Sequence, residues 1–131
     1  MDIIITQWAL DSYLDLKHIN SISDQDYKTI IRPDVLLLKS YPSDPKFQNS
    51  KFWSIATDYA SNRIPDGYKM KWHNIGNGKV QLRLPVGLFT EVVLCGAYVK
   101  GNTNFEKRKM AIFKTHLELI RRNQFTECGR L

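Results

Sequence analysis

The sequence predicts a small α+β domain: an N-terminal strand and two helices, an antiparallel sheet meander, and a C-terminal basic helix. Three observations carry this reading. Tyr68–His73 and Lys79–Leu84 alternate apolar with basic or polar residues on either side of Asn74-Ile75-Gly76-Asn77-Gly78, the pattern of two strands joined by a Gly/Asn-rich hairpin turn. Glu91–Lys100 is a near-continuous apolar run of the kind found in a central strand. Apolar residues at helical spacing flank these strands on both sides, as Ala9, Leu10, Tyr13 and Leu14 near the start and Met110, Phe113, Leu117 and Ile120 near the end. A chain of 131 residues, 43% hydrophobic and 24% charged, suits one domain over residues 1–131 with a single core.

The elements follow in order. Asp2–Thr6 reads as a short, mostly buried strand, and Thr6 is placed to cap the helix that carries Ala9 to Leu14 and reaches Lys17. Asn20-Ser21 interrupts the pattern. Ser23-Asp24-Gln25-Asp26 then supplies an N-cap residue and early acids that complement a helix dipole. The second helix places Tyr27, Ile30, Ile31, Val35 and Leu38 on one side. It runs through Pro33, which lacks an amide hydrogen and should either kink the helix or restart it as a first-turn residue. From Pro42 to Gly67 the pattern is least regular, and Phe47 and Lys51–Ile55 are the residues expected to pin it, with Phe52-Trp53 as a short edge strand. After the hairpin, Pro85 and Gly87 are expected to bound the turn into the Glu91–Lys100 strand. Asn102-Thr103-Asn104 offers an N-cap for a last helix from about Phe105 to Arg122.

Charge is unevenly distributed. Residues 1–66 hold 7 Lys/Arg against 9 Asp/Glu, a net −2, whereas residues 67–131 hold 12 against 4, a net +8. The second half is therefore the expected contact surface for phosphate. No apolar segment approaches the roughly 18 residues of a membrane span and no leader pattern opens the sequence, so a cytoplasmic protein without membrane contact is expected. Cys95 and Cys128 have no metal-ligand or disulfide spacing and read as free thiols, and no cofactor or metal is expected. Gly-rich phosphate loops, paired catalytic acids and the HExxH pattern are all missing from the sequence.

Alternation gives the strands a chemical consequence. If Tyr68, Met70 and Trp72 face the core with their counterparts on the second strand, then Lys69, Lys71, His73, Lys79, Gln81 and Arg83 share the opposite face. Such a face has one imidazole, no carboxylate, and like charges placed side by side, which points to an anionic partner. Alternating lysines also occur on plain solvated or edge-protecting strands. Tyr98 reads either as core packing or as a platform for a stacked nucleobase, and Lys107, Arg108 and Lys109 either as a wet helix face or as RNA contacts. Trp8, Trp53 and Trp72 are most simply anchors, and His18 and His116 structural.

The element order, Pro65-Asp66-Gly67-Tyr68-Lys69-Met70-Lys71, Leu82-Arg83-Leu84, and Ala97-Tyr98-Val99-Lys100-Gly101-Asn102-Thr103 before a basic helix together resemble the RelE/ParE superfamily of bacterial toxins. The resemblance covers most of the chain, more closely over 65–122 than over 1–41. It implies a toxin of a toxin-antitoxin pair that cuts messenger RNA on the ribosome as a metal-independent endoribonuclease and is neutralised by a cognate antitoxin protein. Alternatively it implies a non-enzymatic inhibitor of DNA gyrase, as in the ParE branch, or a nuclease-dead relative that only binds an antitoxin. Under the RelE-like reading Lys69, Lys71 and Arg83 match that branch's strand lysines and arginine. The resemblance then makes Lys71 the base, Lys69 and Arg83 stabilisers of the phosphorane, and Lys79, Gln81, Tyr98, Lys100, Lys107 and Arg108 RNA contacts. Where that branch has an arginine after the last strand this chain has Gly101, and Phe105 stands near its tyrosine, so His73 or Lys100 is left to act as the general acid.

Overall fold

The computed structural model describes residues 1–131. It begins with strand β1 (Ile3–Thr6) and helix α1 (Gln7–His18), joined through Thr6. The buried Thr6 hydroxyl accepts from the Ala9 amide at 3.1 Å and donates to the Leu94 carbonyl at 2.7 Å, so one residue caps a helix and fixes its strand to the sheet. Ser23 caps α2 (Asp24–Asp26) in the same manner. The helix then widens into a π-helical turn at Tyr27–Ile31 before continuing as α3 (Arg32–Leu36), with Pro33 in the first turn of α3. This is the restart expected of Pro33, and the widened turn is the local change that accommodates a residue with no amide to donate. Two 3₁₀ turns, Leu37–Ser40 and Pro45–Gln48, lead across the irregular segment. Phe47 is buried there. The buried Asp34 carboxylate accepts from the Trp72 indole N–H at 2.9 Å and from Lys46 at 2.6 Å, tying that segment to the sheet.

The sheet comprises β1, β2 (Trp53–Thr57), β3 (Arg63–Ile75), β4 (Val80–Leu88), β5 (Val92–Leu94), β6 (Tyr98–Val99) and β7 (Glu127–Arg130), followed in space as β2-β3-β4-β5-β1-β7, with β6 also on β4. The hairpin β3–β4 and the edge strand at Trp53 stand where the sequence puts them. Three features differ from expectation. Pro85 and Gly87 lie inside β4, and the turn comes later, around Phe89–Glu91. The Glu91–Lys100 run is two strands, β5 and β6, with Cys95–Ala97 between them, where the Ala97 amide turns to the Ser12 hydroxyl at 2.8 Å. These two departures are linked: a proline has no N–H for a ladder, and Pro85 sits where β4 changes neighbours from β6 to β5, its carbonyl accepting from the Cys95 amide at 3.0 Å. Finally β1 is parallel to β5, and its other side is covered by β7, a strand the sequence pattern does not announce.

Helices α1 to α3 cover one sheet face around Ile3, Leu16, Val35, Met70, Trp72, Leu82 and Leu84. The other face is partly covered by α4 (Thr103–Arg121), capped by Asn102 as expected. Its buried Met110, Phe113 and Leu117 form a second cluster with Ala56, Ile64, Cys95 and Tyr98. Apolar contact burial of this kind stabilises each fully buried large side chain by roughly 1.5–3 kcal/mol. Close approach is possible because Gly67 on β3 lies opposite Gly87 on β4. A Cβ at Gly67 would stand 2.9 Å from Phe113, and one at Gly87 would stand 2.9 Å from Leu117 and 2.8 Å from Phe89. Trp8 stacked flat on His116, with centroids 3.7 Å apart, and Arg121 donating to the Pro65 carbonyl at 2.8 Å fix the same helix along its length.

Gly87→Val should therefore lift α4 and destabilise the protein by about 1–3 kcal/mol, the scale of overpacking a filled core. Gly129→Ala, whose added carbon would meet nothing closer than 4.0 Å, should be tolerated within about 0.5 kcal/mol. Urea denaturation followed by tryptophan emission measures both, and equal effects at the two sites would refute the close-packing argument.

Candidate nucleic-acid interface

Strand register builds the site. Lys71 on β3 pairs with Arg83 on β4, and Arg83 pairs with Tyr98 on β6. Lys69 lies two residues before Lys71, opposite Pro85, and the Lys100 amide bonds the Gln81 carbonyl at 2.9 Å. Met70, Trp72, Leu82 and Leu84 belong to the cluster under α1 to α3, so alternation directs Lys69, Lys71 and Arg83 to the α4 side. None of Lys69, Lys71, Arg83 and Lys100 forms a salt bridge, although Lys17, Lys46, Lys114, Arg121 and Arg130 all do. Four cations thus share one patch of surface with no direct counter-ion.

The patch is not the open cationic plane the sequence suggests. Arg83 is only 5% exposed: it lies beneath the lysines, donating to the Leu82 carbonyl at 3.2 Å and the Gln81 side chain at 3.4 Å. Tyr98, 3% exposed, is core, so its ring cannot receive a nucleobase. A carboxylate is present after all. Glu106, in the first turn of α4, accepts from the Gly101 amide at 3.1 Å and the Tyr98 hydroxyl at 3.4 Å. Sequence reading missed it because an acid in a first helical turn ordinarily answers the helix dipole, and only the docking of α4 beside β6 brings it to the cations.

The remaining expected residues divide into two groups. His73 is exposed and its ring bonds the Lys51 carbonyl at 3.0 Å, toward β2, while the cations acting on Lys71 are Lys69, Arg83 and Lys100. Lys79 and Gln81 are exposed near the hairpin turn, and Lys107 and Arg108 are exposed on α4. The half-buried Phe105 ring lies against Gly101, so closely that a Cβ there would meet it at 2.5 Å, and the Arg108 and Lys109 cations lie over that ring at 6.0 and 5.2 Å. Phe105 is thus a better candidate for base stacking than Tyr98.

Burial holds the Lys69 amine below the usual lysine range, opposed by Glu106 and reinforced by Arg83 and Lys100. For Lys71 burial acts first, followed by Lys69, Arg83 and Lys100, all in the same downward direction. Tyr98 is driven strongly upward by burial and by Glu106, so its phenol is a fixed donor. As an ensemble the site offers charged donors facing one carboxylate, a composition suited to holding a phosphodiester. No helix is long and apolar enough to cross a membrane, and no three His, Cys, Asp or Glu side chains converge as a metal site.

No family model matches the chain, and no curated protein or solved structure matches it either.

A lysine whose folded pKa lies below its unfolded value opposes folding while both states are charged. The penalty is complete below the folded pKa and is relieved as pH rises from there toward the unfolded one near 10.5, because in that range the unfolded chain binds more protons. Lys69→Met should accordingly be stabilising at pH 7, with the gain over wild type shrinking in the alkaline range. Denaturant melts of both proteins at a series of pH values test this, and a constant difference across that series would contradict it.

Proposed function

We propose that this chain is a RelE-like toxin of a toxin-antitoxin pair that cleaves messenger RNA on the ribosome in the cytoplasm. The observation that carries the reading is the convergence of Lys69, Lys71, Arg83 and Lys100, from two strands and the end of a third, with no salt bridge to any of them. Like charges placed together and partly desolvated destabilise a fold, and an RNA phosphate removes that penalty on binding. In this reading Lys69, Lys71 and Lys100 meet the phosphate oxygens. Arg83 beneath them supplies a fixed positive field that favours a dianionic phosphorane over the monoanionic ground state. Lys107 and Arg108 on α4 extend the cationic track, and Phe105 beside Arg108 offers a ring to a base.

Cleavage also requires an acceptor for the 2′-hydroxyl proton. The resemblance gives that task to Lys71, whose amine is pushed toward the neutral form by burial and three neighbouring cations. A cognate antitoxin would cover the same patch with an acidic segment. One observation favours a second reading, in which the chain blocks gyrase without hydrolysis: the place of the arginine expected at Gly101 is filled by the Phe105 ring.

On programmed ribosomes the purified protein should cut messenger RNA, and Lys71→Ala should slow cleavage by at least about 10²-fold with a far smaller change in ribosome binding. Lys107→Ala should instead weaken association and lower its salt dependence. Growth arrest with intact transcripts, accompanied by DNA damage, would replace the nuclease by the gyrase reading.

A further inference from the structure

The four cations and Glu106 are arranged unlike an ordinary ion-pair cluster. Where this protein pairs charges, it pairs them closely: Arg121 meets Glu118 at 2.6 Å and Lys17 meets Asp24 at 2.8 Å. Glu106 acts electrostatically on Lys69 and Arg83, yet no Lys or Arg nitrogen of the cluster comes within 4.0 Å of its oxygens. Its position is set by neutral donors instead. One oxygen accepts from the Gly101 amide at 3.1 Å and the other from the Tyr98 hydroxyl at 3.4 Å, and Tyr98 is itself held in the core. A carboxylate has about four lone-pair sites, so two bonds leave it able to accept again. The result is a positioned acceptor beside a bank of donors, close enough to act on Lys69 and Arg83 but paired with neither.

We propose that Glu106, rather than Lys71, is the general base of RNA cleavage, and that Lys71 is the general acid. This assignment rests on the nuclease reading. A carboxylate is an acceptor as it stands, whereas a lysine must first lose a proton to serve as base. In the step, a Glu106 oxygen takes the 2′-hydroxyl proton as the O2′–P bond forms. The P–O5′ bond breaks, and the leaving 5′-oxygen receives a proton from the Lys71 ammonium. The products are a 2′,3′-cyclic phosphate and a 5′-hydroxyl; Glu106 returns its proton to water and Lys71 regains one. The direction in which burial and neighbouring cations move the Lys71 amine makes it a stronger acid. Gly101 gains a function in the same arrangement. Its amide orients the base, and its missing side chain leaves room for Phe105, which precedes Glu106 in the helix.

The two roles separate by leaving group. An RNA whose scissile 5′-oxygen is replaced by sulfur needs no proton on departure, so it restores cleavage to a variant lacking the acid but not to one lacking the base. With the ordinary RNA on programmed ribosomes, Glu106→Gln and Lys71→Met should each lose at least about 10²-fold in rate. With the 5′-thio RNA, Lys71→Met should return to within about tenfold of wild type while Glu106→Gln stays impaired. Binding of the same RNA with a 2′-deoxy residue at the cut should be as tight or tighter for Glu106→Gln, since a negative charge has been removed. Rescue of Glu106→Gln instead of Lys71→Met, or wild-type cleavage by Glu106→Gln, overturns the assignment while leaving the nuclease reading intact. Failure of wild type to cut either RNA while still binding it overturns the nuclease reading, and this role with it. Should Glu106→Gln fail to fold, Glu106→Asp keeps the carboxylate, and its partial loss must likewise resist rescue by sulfur.

Discussion

The close approach of helix α4 to the glycine pair of β3 and β4 governs what the rest can do. With side chains at Gly67 and Gly87 the helix would ride higher, since the added carbons would fall under 3.0 Å from Phe113 and Leu117. Its depth decides how far its first turn descends toward β6, and therefore whether Glu106 reaches Tyr98 and Gly101. The same depth decides how much solvent Lys69 loses. Two glycines buried at one end of the helix thus set the geometry and electrostatics at the other, through a rigid element that links them.

Arg83 illustrates how a fold tolerates a residue that works against it. It is almost wholly buried, with carbonyl and amide oxygens as hydrogen-bond partners and no carboxylate in direct contact. A well-packed apolar residue would serve stability at least as well there. Lys69 and Lys71 add to that burden, because both lose solvation beside other cations. Elsewhere the protein follows the usual rules closely, with capped helices, a buried Asp34 supplied with two donors, and Arg130 paired to Asp2, Glu91 and Glu127. The cationic patch is thus a local departure from an otherwise consistent design.

How far the sequence disclosed this depends on whether the governing interaction was local. Alternation in Tyr68–His73 and Lys79–Leu84 is a local property, and it correctly separated the apolar row under α1 to α3 from Lys69, Lys71 and Arg83. The caps at Thr6, Ser23 and Asn102 are equally local and were legible. Burial of Arg83 was not, because it depends on how deeply a helix twenty residues away settles on the strands, and the same docking decides Tyr98, for which core packing and base stacking were both open. Nor was the break at Cys95–Ala97, where the apolar pattern persists but the hydrogen bonds go to α1. Pro85 was read as a turn for a sound local reason, and the sheet absorbs it by changing neighbours at that residue. β7 escaped notice because Glu127-Cys128-Gly129-Arg130 has too few apolar residues to announce a strand.

Strand β1 has a consequence for the order in which the protein assembles. It lies between β5 and β7, strands that begin at Val92 and Glu127, so its two flanks come from residues made long after its own. On a translating ribosome Ile3, Ile4 and Ile5 would emerge with no sheet to join, while the local hairpin β3–β4 can pair as soon as it is made. Such distant closures slow folding and leave an apolar strand exposed in the interval. Ile3, Ile4 and Ile5 therefore stay without strand partners until β5 and β7 have been made, and the cationic face can become complete only after α4 has docked.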